Sequence, residues 1–222
     1  MENTSRNKML WIELSVVLMW LVLPSLLMQF IPFRIPRGTD GDLYHVVYAL
    51  SYVGRIGALG FIVWQSGDSL STFGIVKDSL PRVAILVVAL LAVDAASFAI
   101  MSPTHTLAHV SLSAFSHGSA VSWVSKLSFY VAAATMEELI YRSYLITRLK
   151  ELLGSAEWAI VISFMLFGCM HIVRGTPSFI SASVFCLILS LAFVRTRSVI
   201  PLAITHSVHN IWLELAWRSL GA

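Results

Sequence analysis

Two adjacent carboxylates and an arginine stand inside one apolar run, Thr135-Met136-Glu137-Glu138-Leu139-Ile140-Tyr141-Arg142. A charged side chain near the centre of a membrane helix costs about 3 kcal/mol on insertion scales, so each one needs a partner or a task. At about 100° per residue the two acids point in different directions, whereas Glu138 and Arg142 are four apart, share a face and can pair. Glu137 is then left on its own face, free to aim into an interior as a general base or acid. Further along, Phe164-Met165-Leu166-Phe167-Gly168-Cys169-Met170-His171 places His171 one turn after Phe167, with Gly168 permitting close helix approach. In Thr205-His206-Ser207-Val208-His209-Asn210, His206 and Asn210 again share a face, and two donors aimed at one point make a candidate oxyanion hole. His209 is turned about 60° away from His206 around the same helix, beside the site rather than in it.

Each feature alone has a plainer reading. Glu138 with Arg142 neutralises two charges in lipid, His171 reads as a satisfied core histidine, and His206 with Asn210 reads as helix-to-helix hydrogen bonding. Their coincidence in three neighbouring apolar stretches is what points to a site. Among the other polar residues of the apolar runs, Asp94 and Arg55 are expected to form an interhelical ion pair, and Glu13 and Glu214, near helix ends, to be solvated. His105, His109 and His117 fit no standard zinc spacing. Cys169 and Cys186 lie inside apolar runs with neither a disulfide framework nor spaced metal partners, and read as small core residues.

The elements that must position these residues follow from composition. Of 222 residues, 57% are hydrophobic and 12% charged, with a mean hydropathy of +0.80, which excludes a water-soluble globule. The net charge of +3 comes from scattered basic residues, so no stripe exists to follow a nucleic-acid backbone. The pattern predicts an all-α bundle of about seven, possibly eight, transmembrane helices forming one domain over residues 1–222. The apolar stretches are Met9 to Ile31, Leu43 to Gln65, Val83 to Met101, Val121 to Ile146, Trp158 to Val173, Phe179 to Val194 and Val199 to Trp217. Ser66 to Arg82 reads as an interfacial connector with a short amphipathic turn, and Ser102 to Ser122 as either a loop or a surface helix. Arg6, Lys8, Lys77, Arg82, Arg148, Lys150, Arg195 and Arg197 fall on one side, against Arg34, Arg37, Lys126, Arg174 and Arg218. By the positive-inside rule the N-terminus is cytoplasmic. A rise of about 1.5 Å per residue leaves Glu137, His171 and His206 at comparable depths, roughly 10–20 Å into their helices.

Taken together and in order, Glu137-Glu138-x-x-x-Arg142, Phe167-x-x-x-His171 and His206-x-x-x-Asn210 resemble the CPBP intramembrane proteases, the CAAX-protease and bacteriocin-processing family also called Abi proteins or type II CAAX prenyl endopeptidases. The likeness covers roughly 121–217, the expected catalytic core. The resemblance implies a hydrolase with no covalent enzyme intermediate, cleaving a peptide or protein substrate at the lipid bilayer of, in the bacterial-type members, the inner membrane. It implies that Glu137 activates water, His171 helps to hold that water, and His206 with Asn210 stabilises the oxyanion. Glu138, Arg142 and Phe167 complete the motifs and support them, and His209, three residues after His206, is a supporting candidate by its position alone. The expectation is a metal-free reaction with no cofactor. Zinc is the alternative, although a His-x-x-x-Asn helix pairs one good ligand with a poor one. The rival readings are a non-catalytic immunity or regulatory membrane protein and a proton-coupled transporter. Intact motifs speak against the first, and the uninterrupted last helix against the second.

Overall fold

A computed structural model of the chain describes residues 2–27, 30, 41–101 and 119–219. The described residues are all-helical, without strands, and each apolar stretch of the sequence overlaps a helix. The order is α1 (Glu2–Val17), a π-helical stretch (Leu18–Val22), α2 (Leu23–Leu27), α3 (Gly41–Gln65), α4 (Leu80–Met101), α5 (Ala120–Glu137), a second π-helical stretch (Glu138–Leu145), α6 (Ile146–Leu153), α7 (Ala156–Cys169), α8 (Thr176–Thr196) and α9 (Ile200–Ser219). Among the described residues four helices are long and apolar enough to cross a membrane, Ser5–Leu27, Asp42–Gln65, Leu80–Met101 and Thr176–Thr196, and Ala156–Cys169 is a shorter apolar helix. The protein is an integral membrane protein. Large apolar side chains such as Trp20, Trp64, Ile85, Val88 and Ile100 are exposed on these helices, as a hydrocarbon surround requires. Ser102 to Ser122, left open between loop and surface helix, lies largely outside the described residues, as do His105, His109 and His117.

Local chemistry sets several boundaries. Ser119 caps α5 and Ser155 caps α7, each hydroxyl accepting from the N–H three residues on, of Ser122 and Trp158, at 3.2 Å. α6 ends on Gly154 at φ +68°, a conformation glycine adopts without steric cost. α8 starts behind Gly175 with Pro177 in its first turn.

The connector between α3 and α4 is a plug rather than a passive loop. A short 3-10 turn, Leu70–Phe73, buries Phe73, whose ring stacks on Tyr144 at 5.9 Å. Gly74 follows at φ +72°, where a Cβ would lie 2.6 Å from the Phe193 ring. Its carbonyl accepts from Val199 N–H at 2.9 Å, and Arg197 donates to the Thr72 carbonyl. Beneath the plug, the fully buried Arg148 guanidinium reaches Glu13 at 2.9 Å, Asp68 at 2.7 Å and Glu151 at 3.1 Å. Glu13 is therefore a tertiary ion-pair partner and not the solvated helix-end acid expected from sequence. Glu214 departs from expectation in the same way, accepting from the Tyr130 hydroxyl at 2.8 Å and lying 3.8 Å from Lys126.

Away from the connector, α3 runs alongside α5 in the same direction. Asp42 accepts from Ser125, and Tyr44, Tyr48 and Tyr52 line up against Phe129. At the far side Gly168 on α7 meets α8 so closely that a Cβ would fall 2.1 Å from Ser183 Oγ. That contact holds α7 and α8 together next to the acidic pair.

Candidate active site

The site is built where the α5 helix changes pitch. Glu137 is the last residue of α5, and Glu138 opens the π-helical stretch that carries Arg142. A π-helical stretch inserts a residue into the helical register and is common at functional positions. The 3.6-residue periodicity of the sequence gives no sign of it. Glu138 and Arg142 nonetheless meet as expected, Glu138 Oε1 lying 3.0 Å from Arg142 Nη1 with both side chains fully buried. The guanidinium also covers the Phe167 ring, at 4.6 Å from its centroid.

Glu138 does more than neutralise arginine. Its Oε1 lies 2.7 Å from His206 Nδ1. A carboxylate can only accept here, so Nδ1 carries the proton and the other ring nitrogen is turned toward the remaining acid: His206 Nε2 is 3.5 Å from Glu137 Oε2. The two glutamates thus hold opposite edges of one imidazole. Glu137 is 27% exposed at its side chain against 0% for Glu138, which makes Glu137 the more accessible of the two acids.

Phe167 joins the motifs. Its ring lies 5.2 Å from Tyr141, 5.1 Å from His171 and 5.9 Å from His206. His171 stands just past the end of α7, which stops at Cys169, instead of continuing the helix as the apolar stretch to Val173 suggested. Glycine at 168 and the tight α8 contact coincide with that stop. His171 Nδ1 is 3.1 Å from the Phe167 carbonyl. A carbonyl only accepts, so Nδ1 is the protonated nitrogen and Nε2 keeps its lone pair for a water molecule. Asn210 is half-buried one turn beyond His206 on α9.

His209 and Asp94 depart from the expected pairing. His209 Nδ1 lies 2.6 Å from Asp94 Oδ2 on α4, and the His209 ring stacks on Phe185 of α8 at 4.2 Å. Arg55, the expected partner of Asp94, instead donates to Ser25 Oγ and lies over the Tyr52 ring. Asp94 and Phe185 were both missed as site neighbours from sequence. Phe185 is one apolar residue among many, and Asp94 was matched to the wrong helix because an acid in a span names no partner.

Among the described residues no three His, Cys, Asp or Glu side chains converge as a metal-binding group. Both His206 nitrogens are already directed at carboxylates, and His171 turns one nitrogen to its own backbone.

Residues 119–212 match the family model described as type II CAAX prenyl endopeptidase Rce1-like. The match covers a little under half of the chain and supports the CPBP, or CAAX protease, family, which is a family of proteases. No curated protein and no solved structure matches the chain.

Proposed function

We propose that this protein is an intramembrane endopeptidase in which Glu137 activates water for attack on a peptide bond of a membrane-associated protein or peptide. The observation that carries the reading is the imidazole of His206 held between Glu138 and Glu137, inside the family-matched segment. Glu137 takes a proton from water as the water oxygen bonds to the carbonyl carbon. The charge that develops on the carbonyl oxygen is met by His206 Nε2–H and the Asn210 amide. As the C–N bond breaks, Glu137 returns the proton to the leaving nitrogen, so the products are a new carboxyl terminus and a new amine with no covalent enzyme intermediate. The free Nε2 of His171 orients the water.

Because the Nδ1–H of His206 donates its hydrogen bond to Glu138, Nε2 can donate to the oxyanion only when the ring is the imidazolium. Glu137, Glu138, Arg142 and that imidazolium sum to zero charge. The sum remains zero when Glu137 gains a proton and the oxyanion appears, so the reaction moves charge within a buried site without creating net charge there. No metal enters this scheme. The seven apolar stretches are read as membrane spans with the N-terminus in the cytoplasm, in the inner membrane of a bacterium.

The test is a comparison of peptide termini in membranes and medium between cells carrying the wild-type protein and cells carrying Glu137→Ala. New termini that vanish with Glu137→Ala identify substrate and activity together. Identical termini in both, with both proteins inserted, would favour a non-catalytic role for the bundle.

A further inference from the structure

We propose that Asp94 and His209 form a positioning pair that sets the ring of His206 through Phe185. The inference rests on the peptidase reading and adds to it two residues that the motifs do not specify, one of them on a helix outside the matched segment. Contacts of Nδ1 with Glu138 at 2.7 Å and of Nε2 with Glu137 at 3.5 Å fix two edges of the His206 ring but leave it free to rotate about the line that joins them. The faces are restrained by aromatic rings: Phe185 lies 5.0 Å away at 72° and Phe167 5.9 Å away at 69°. An edge-to-face contact of this kind fixes orientation only if the phenyl plane is itself fixed.

Phe185 has its plane set by His209, which stacks on it at 4.2 Å and 18°. His209 is set in turn by Asp94, 2.6 Å from Nδ1, with the two side chains only 12% and 13% exposed. A charge-assisted hydrogen bond so short and so little solvated holds an imidazole in one tautomer and one plane. The chain of contacts runs from α4 through α9 to α8 and back to α9. It gives the first half of the protein, which lies outside the family-matched segment, a part in aligning His206. The competing structural account is that Asp94 and His209 merely tie α4 to α9.

The experiment uses the full-length protein in lipid nanodiscs with an internally quenched peptide that the wild type cleaves, and compares Asp94→Asn, His209→Ala, His209→Phe and Asp94→Asn with His209→Phe. Misplacing a reacting group by a fraction of its working distance is costly, so Asp94→Asn and His209→Ala each lower kcat about tenfold with KM unchanged. His209→Phe keeps the stacked ring and loses less, and adding Asp94→Asn to it causes no further loss. The imidazole nitrogen signals of His206, assigned with His206→Gln, shift in Asp94→Asn and stay near wild type in His209→Phe. Unchanged His206 signals in Asp94→Asn, with melting lowered and kcat per folded molecule intact, would overturn the proposal in favour of a plain helix tie. If the wild type cleaves no peptide, the peptidase reading fails, and the His206 signals still decide the positioning claim.

Discussion

Glu138 Oε1 faces two partners at once, His206 Nδ1 at 2.7 Å and Arg142 Nη1 at 3.0 Å. One fully buried carboxylate oxygen therefore supplies both the countercharge of an arginine and the orientation of an imidazole. Removing it separates those tasks. Breaking one member of a buried ion pair typically costs about 3–5 kcal/mol, so Glu138→Ala is expected to lower the melting temperature sharply in detergent. Adding Arg142→Leu should restore most of that stability by removing the stranded charge. Turnover should stay low in the double variant, because His206 Nδ1 then has no acceptor to orient it. Recovery of both together would mean that Glu138 serves the arginine alone.

Asn210→Ala is expected to reduce kcat about a hundredfold, the usual cost of one oxyanion donor, while KM changes little. The donor acts on charge that exists only in the transition state. Steady-state kinetics on a quenched peptide separate this outcome from a packing defect, which would raise KM or lower the fraction of folded protein.

Gly168→Ala forces a methyl toward Ser183 Oγ, 2.1 Å from the ideal Cβ position, and toward the Phe179 ring at 3.1 Å. Overpacking of this kind costs roughly 1–3 kcal/mol, and here it also pushes α7, with Phe167 and His171, away from α8. Thermal denaturation should show the loss, and Ser183→Ala should recover part of it in the double variant. Equal stability of Gly168→Ala and the wild type would mean that the α7–α8 contact yields to a methyl group without cost and does not fix the position of α7.

Prolonged chelation is expected to leave peptide cleavage intact, since the water in this scheme is activated by a carboxylate. Elemental analysis of the purified protein provides the companion measurement. One tightly held zinc per chain, with activity lost on removal and regained on return, would replace the glutamate route by a metal-assisted one.

How much of this was legible in the sequence depends on the range of the interaction. Glu138 and Arg142 are four apart in one helix, so their meeting follows from helical geometry and survives even the local change to π-helical pitch. The all-helical class follows from apolar stretches that must satisfy their backbone internally in lipid. The contacts that cross between helices were not legible: His206 to Glu138, His209 to Asp94 and Glu13 to Arg148 join residues 68, 115 and 135 apart. Which acid faces which base across that distance depends on how each helix is rotated and how far it slides, and neither is written in local periodicity. Arg55 illustrates the point, since it reaches Ser25 on α2 and leaves Asp94 to a histidine. The stop of α7 at Cys169 was hidden for a related reason, because Met170, Ile172 and Val173 continue the apolar pattern past the helix end.

The most direct test of the central claim is the turnover of Glu137→Gln, measured on a quenched peptide in nanodiscs beside the wild type, with melting temperature recorded for both. Glutamine keeps the shape of the side chain and cannot take a proton from water, so kcat should fall by about a thousandfold while the melting temperature stays close to that of the wild type. Cleavage by Glu137→Gln at the wild-type rate would contradict the account, because no other group in it removes the proton from the attacking water.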